Sequence, residues 1–232
     1  MSRTRCIFLG QPVDEDIGSI FVGILLYLFI DDIRKGKSRQ IFMYINSCGG
    51  AILPGLSIFD IMLQLRETIH TIGLGLVAST ATLVLSAGTF GFRNTGPHSR
   101  IMIHQPRASL RDGPAWLFAK DAFFVQQLRK MIVQCYCLRT PQFEELIENA
   151  LDKNTYMSPE EAVDFGLVDR VALPMWEPNK EEPPFEIPEE GNEGFGLIPN
   201  HVLEEARRAR KIRSTKGAVQ IDEQNLSLQF DE

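Results

Sequence analysis

The chain has 232 residues, 44% hydrophobic and 23% charged, which suits one domain of ordinary size with an appendage and excludes a disordered or fibrous polymer. Its 24 basic and 30 acidic residues balance at 17 each up to Met175, so the net charge of −6 lies entirely in the tail. A neutral body with an acidic tail carries no electrostatic footprint for a nucleic acid.

In chain order, Cys6–Gly10 reads as a strand ending in a turn, with no signal or transit peptide expected ahead of it. The most apolar stretch, Ile17 to Ile30, runs between Asp14-Glu15-Asp16 and Asp31-Asp32. Its 14 residues fall short of the roughly 20 that span a bilayer, so a buried helix is expected rather than a membrane anchor. Ile41–Ile45 predicts a buried strand entering the tight turn Asn46-Ser47-Cys48-Gly49-Gly50, and Ile58, Ile61, Met62 and Leu65 keep helical spacing after it. Thr71–Val77 predicts another buried strand, Ser79–Ser86 a short helix, and Phe90–Phe92 and Arg100–His104 two further strands. Such alternation implies an α/β core with a parallel sheet and right-handed crossovers. A long helix is expected from Pro114 to Arg139, preceded by the polar stretch Arg107–Gly113, which suits a loop or a strand completed by a partner chain. A helix over Phe143–Ala150, a polar turn over Asp152–Tyr156, a capped helix from Ser158-Pro159-Glu160-Glu161 and a strand over Leu167–Leu173 complete the body. Residues 175–232 form an acidic, proline-rich extension: Trp176–Pro199 holds five prolines and seven glutamates against one lysine, and His201–Lys211 suits an exposed charged helix.

The four cysteines, Cys6, Cys48, Cys135 and Cys137, make no metal-binding spacing and read as reduced thiols. Four other features bear on chemistry. At Gly49-Gly50 backbone amides can converge on an anion, although a turn needing positive φ explains the pair equally well. Ser79 stands where a buried strand turns into a helix, near the positive helix end; close packing is the commoner reason for a serine there. His104 ends an apolar strand, where a structural histidine is the usual case, and Asp152–Tyr156 supplies polar loop residues. His70, His98 and His201 fall in loop or tail contexts and receive no role. Together these are the parts of acyl transfer by an activated hydroxyl, although sequence alone does not bring them together.

The blocks Phe8-Leu9-Gly10, Tyr44–Gly50, Gly75-Leu76-Val77-Ala78-Ser79, Arg100–Pro106, Tyr156–Ala162 and Gly166-Leu167-Val168-Asp169 resemble the proteolytic subunit of the ATP-dependent Clp protease. The resemblance covers Cys6 to about Leu173, and several ordered blocks at the family's separations are more specific than any one alone. It implies a crotonase-like α/β spiral with a protruding handle helix, a peptidase domain over residues 1–174, and no cofactor or metal. It further implies two stacked heptameric rings of Clp subunits, an ATP-driven Clp unfoldase as partner, unfolded proteins as substrate, and no nucleic acid or membrane. The divergence and the extension suggest a plastid-encoded subunit in the chloroplast stroma, with a bacterial cytoplasm as the alternative.

By the same resemblance Ser79 is the nucleophile, His104 the general base, and the backbone amides of Gly50 and Thr80 the oxyanion hole. Asn154 stands where the family carries the triad aspartate, with Asp152 close by in the loop. Cys48 replaces the family's proline, Val77 and Thr80 replace its usual alanine and methionine, and Asn94 and Gly96 occupy the strand that usually forms the chaperone-docking groove. Two other readings stand beside a serine endopeptidase: a catalytically weak structural subunit of a mixed ring, and an acyl-CoA enzyme of the same fold that would not need Ser79.

Overall fold

The computed structural model describes residues 5–107 and 114–172. All of them lie in the first of two units into which the chain divides, Met1–Glu181 and Glu182–Glu232. The expected acidic extension and most of the polar stretch Arg107–Gly113 lie outside the described residues.

Thirteen elements follow one another along the described chain: β1 (Cys6–Leu9), α1 (Glu15–Lys35), β2 (Ile41–Ser47), α2 (Ile52–Gln64), β3 (Ile69–Ala78), α3 (Thr80–Ser86), β4 (Arg93–Thr95), β5 (Arg100–Ile103), α4 (Ala115–Arg139), α5 (Glu144–Asp152), β6 (Thr155–Met157), α6 (Pro159–Phe165) and β7 (Arg170–Val171). Their ends follow local chemistry. The Asp14 carboxylate accepts from the Ile17 amide, acidic Glu15 and Asp16 open α1, and Gly36 at φ 60° closes it. Ser158 and Glu161 cap α6 reciprocally, with Pro159 in the first turn.

Strand β3 organises the sheet. Its first half pairs in parallel with β2 and β4, and its second half, from Leu76 to Ala78, pairs in parallel with β5. The two halves meet at Gly75, whose φ of 57° bends the strand, and the register against β2 shifts between Ile45 and Ser47. The sheet thus divides after β3, one branch running to β4 and β7 and the other to β5 and β6. Among the described residues only β6 runs antiparallel, with Ile103 opposite Thr155. Leu9, Leu25, Ile41, Met43, Ile45, Ile58, Leu85 and Ile101 are fully buried and form the centre of the core. This is the crotonase-like α/β architecture, with six helices and a mainly parallel sheet among the described residues.

Four expectations change. Helix α1 is only half buried: Ile17, Phe21 and Leu25 enter the core, whereas Ile20, Tyr27, Ile30 and Ile33 are exposed on the single chain. Phe90–Phe92 is a turn and not a strand. The Asp169 carboxylate accepts from the Gly91 and Arg93 amides, Gly91 sits at φ 86°, and the Phe90 ring packs under Arg93 and Arg139. The expected polar turn Asp152–Tyr156 instead runs from the last residue of α5 into strand β6. His70 is a buried core residue of β3, stacked on Phe42 with ring centroids 4.4 Å apart and packed edgewise on Phe92.

Candidate active site

Ser79 lies between the end of β3 and the first turn of α3, with φ 57° and ψ −128°. A residue with a Cβ pays roughly 1–2 kcal/mol for the left-handed region, so the surroundings must hold it there. They do so from both sides. The Ser79 amide donates to the Met102 carbonyl of β5 at 2.8 Å, and the Ser79 carbonyl accepts from the Thr82 amide at 3.0 Å and the Thr82 hydroxyl at 2.5 Å. Thr82 Oγ1 also lies 2.5 Å from the hydroxyl of Tyr136, itself wholly buried on α4. The elbow is therefore braced by the neighbouring strand and by the long helix.

The Gly49-Gly50 turn closes against this elbow. A Cβ on Gly49, at φ 83°, would lie 2.5 Å from the Ala78 carbonyl oxygen, 2.7 Å from Ser79 Cβ and 2.9 Å from the Thr80 nitrogen, so only glycine fits. A Cβ on Gly50 would collide with the Val13 carbonyl. Val13 donates to the Gly49 carbonyl and accepts from Ala51, which leaves the intervening Gly50 amide outside that ladder. Thr80 opens α3, where a first-turn amide has no intrahelical acceptor. Ser79, His104, Gly49, Gly50 and Thr80 line one cleft of about 420 Å³, walled on its apolar side by Leu83 and Ile132.

His104 follows directly on β5 and is half-buried. Burial first, then the charge of Arg107, hold its pKa below the ordinary histidine value, partly offset by a backbone hydrogen bond with Gln105. Its Nδ1 is buried and has no hydrogen-bond partner among the described residues. The antiparallel pairing of Ile103 with Thr155 makes His104 and Asn154 the next residues outward at this end of the ladder. Asn154, at φ 51°, directs its Oδ1 to Arg107 Nη2 at 3.5 Å. Asp152 is held elsewhere: Arg129 donates to it through Nη1 at 2.8 Å and Nη2 at 3.3 Å, and also reaches Gln105 Oε1. The fold thus gathers Ser79, His104, Gly50 and Thr80 in one cleft and sets Asn154 beside His104 without a hydrogen bond between them. Asn94 lies in β4 and Gly96 just beyond it. Sequence reasoning passed over Arg107, although it follows His104-Gln105-Pro106, and Tyr136, whose only signal was an apolar position on a long helix.

No helix among the described residues is long and apolar enough to cross a membrane, and no cluster of three or more His, Cys, Asp or Glu among them is placed to hold a metal ion. Residues 1–174 match the family described as Clp protease. The chain is 42% identical over 172 residues to a protein of Nephroselmis olivacea, covering 74% of this chain and 80% of that one. It is 39% identical over 171 residues to one from Adiantum capillus-veneris, covering 74% and 84%, and 39% identical over 170 residues to one from Pinus thunbergii, covering 73% and 85%. Each of these relatives carries the name ATP-dependent Clp protease proteolytic subunit. With the whole body matched and such relatives among algae and plants, the chain belongs to the Clp protease family.

Proposed function

We propose that this chain is a serine endopeptidase subunit of a Clp-type core, with Ser79 as nucleophile and His104 as general base. The observation that supports this best is the strained Ser79 elbow, sharing one cleft with His104 and with the backbone amides of Gly50 and Thr80. His104 takes the Ser79 proton as Oγ attacks the scissile carbonyl carbon. The two amides donate to the oxygen that becomes negative, in a cleft where a donor is worth more than in bulk water. Collapse breaks the C–N bond, and the imidazolium returns the proton to the leaving amine. A water then repeats the sequence on the acyl-serine and frees the acid. Asn154 takes the third position and supplies a dipole where the family has a charge. An Asp-to-Asn change in a serine triad costs about 10⁴ in turnover, so this subunit is slow by itself.

The plant and algal relatives support a plastid location, and the family supports assembly with other Clp subunits into rings fed by an ATP-driven unfoldase. In that setting residues 1–174 are the peptidase domain and the acidic extension is an appendage to it. The test is turnover of a fluorogenic peptide by assembled cores. Ser79→Ala is expected to remove all hydrolysis owed to this subunit and its labelling by a fluorophosphonate. Asn154→Asp is expected to raise turnover at least about tenfold, within the 10⁴ that the charge is worth. Loss on Asp152→Asn, with no gain from Asn154→Asp, would move the third position to Asp152. No effect of any of the three would make the chain a structural subunit.

A further inference from the structure

The side chain of Asn154 has two different ends, and the structure shows which one is engaged. A guanidinium only donates, so the amide atom that meets Arg107 Nη2 at 3.5 Å is the oxygen. Oδ1 thus lies at Arg107 and makes no hydrogen bond to His104 Nδ1. His104 Nδ1, buried and without a partner, belongs to the residue next to Asn154 across the β5–β6 ladder. Without an acceptor at Nδ1, no bond holds a hydrogen there. A general base needs the reverse: hydrogen on Nδ1, held by an acceptor, and a bare Nε2 lone pair. Arg107 lines the same cleft as Ser79 and His104.

We propose that Arg107 is a positioning residue that acts as a brake on this site, by competing for the Asn154 amide oxygen and so withholding from His104 the acceptor that would fix the tautomer able to take the Ser79 proton. The proposal rests on the serine-protease reading above. In Arg107→Leu the amide is free to turn, Oδ1 accepts from Nδ1–H, and Nε2 becomes the base. Between two exposed side chains at 3.5 Å the energy involved is at most that of one ordinary hydrogen bond, an upper bound of about tenfold in an equilibrium.

Charge provides a second readout. The charge that acts on His104 is that of Arg107 on its own segment; Arg129 of α4, which donates to the neighbouring Gln105, is itself paired with Asp152 and Glu148 of α5. Arg107 has no carboxylate partner among the described residues, and its charge disfavours protonated His104. A base must be neutral, so kcat/KM climbs as pH rises through the pKa of His104. Removing the cation raises that pKa and moves the acid limb to higher pH.

The experiment compares assembled cores carrying Arg107→Leu, Arg107→Gln, Asn154→Ala and the Arg107→Leu/Asn154→Ala pair, using one uncharged fluorogenic peptide across pH. Arg107→Leu is expected to raise plateau kcat by a factor of about two or more, up to about tenfold. It should also move the acid limb upward. Glutamine is neutral yet still donates to Oδ1, so Arg107→Gln is expected to move the limb as far while gaining much less at the plateau. In the Asn154→Ala background Arg107→Leu is expected to add nothing to the plateau, the signature of two residues acting as one unit. An unchanged or lower plateau in Arg107→Leu overturns the proposal. So does a gain that persists without the Asn154 amide, because Arg107 would then act on substrate directly. Ser79→Ala separates the levels: turnover unchanged by it overturns the protease reading and the brake together, whereas a fall in Ser79→Ala with no gain in Arg107→Leu overturns the brake alone.

Discussion

At the scale of single residues, the molecule places costly groups where packing holds them. His70 is 3% exposed between two phenyl rings, and its Nε2 is buried without a partner among the described residues. Burial, and secondarily the charge of Arg170, lower its pKa to about 4 from an ordinary 6.5. The unfolded chain therefore binds this proton between those pH values while the folded chain does not. Its contribution is complete above pH 6.5 and falls as the pH drops towards 4, by about 3 kcal/mol in all. Urea midpoints taken at pH 4.5 and 7 are expected to differ strongly for the native chain and much less for His70→Leu; equal slopes would show that other groups carry the acid sensitivity. Gly49→Ala tests the opposite kind of constraint. Its methyl would strike backbone and side-chain atoms on both sides of Ser79, and its backbone sits at φ 83°. Loss of hydrolysis with the secondary structure retained is the expected result, since the smallest side chain would already displace the amides proposed to meet the oxyanion.

At the scale of elements, the turn before β4 shows what tertiary contact adds to a local pattern. The Asp169 carboxylate accepts from the amides of Gly91 and Arg93 and from Arg93 Nε and Nη2, while Arg93, 4% exposed, also donates to the Arg139 carbonyl. Asp169→Ala strands a buried guanidinium and two amides, so a loss of about 3–5 kcal/mol is expected in chemical denaturation. A loss below about 1 kcal/mol would mean that Arg93 finds another acceptor at little cost. This turn was misread because Phe90-Gly91-Phe92 is apolar and short, which on sequence alone looks like a strand; the carboxylate that bends it lies 78 residues away from Gly91. Strand β6 was missed for the related reason that only three residues pair, and their partner is β5. Elements whose signals are local were legible: the capping box at Ser158, the apolar run of β2, and the Gly49-Gly50 turn closing on a strand-to-helix elbow at Ser79. The grouping of Ser79 with His104 was legible only through the resemblance, because it depends on β3 pairing with both β2 and β5. The contact of Arg107 with Asn154 was not legible at all, since a long side chain crossing to another element leaves no periodic trace.

At the scale of the whole molecule, the single chain leaves more apolar surface uncovered than its own core can use. On α1, Ile20, Ile24 and Tyr27 follow one another by four and three residues, and Leu26, Ile30 and Ile33 make a second row beside them. All six are exposed, Tyr27 at 63% and Ile33 at 62%. On α4 the buried residues begin only at Leu128, while Trp116, Phe123 and Phe124 of the first half face outward. Each large side chain left in water forgoes roughly 1.5–3 kcal/mol that a covering partner would recover. Two such faces on separate helices, in a chain whose body is charge-balanced and lacks long-range self-repulsion, favour association over a solvated monomer. In the proposed ring a charge placed on either face would recur with each copy of this chain that the ring contains. Ile24→Asp together with Tyr27→Asp is therefore expected to turn a ring-sized species into a subunit-sized one in sedimentation velocity. The circular dichroism spectrum should be retained, since neither side chain belongs to the buried core, which α1 enters through Ile17, Phe21 and Leu25. A double variant that still sediments at ring size would show that α1 faces solvent in the assembly and that the association surface lies elsewhere on the body.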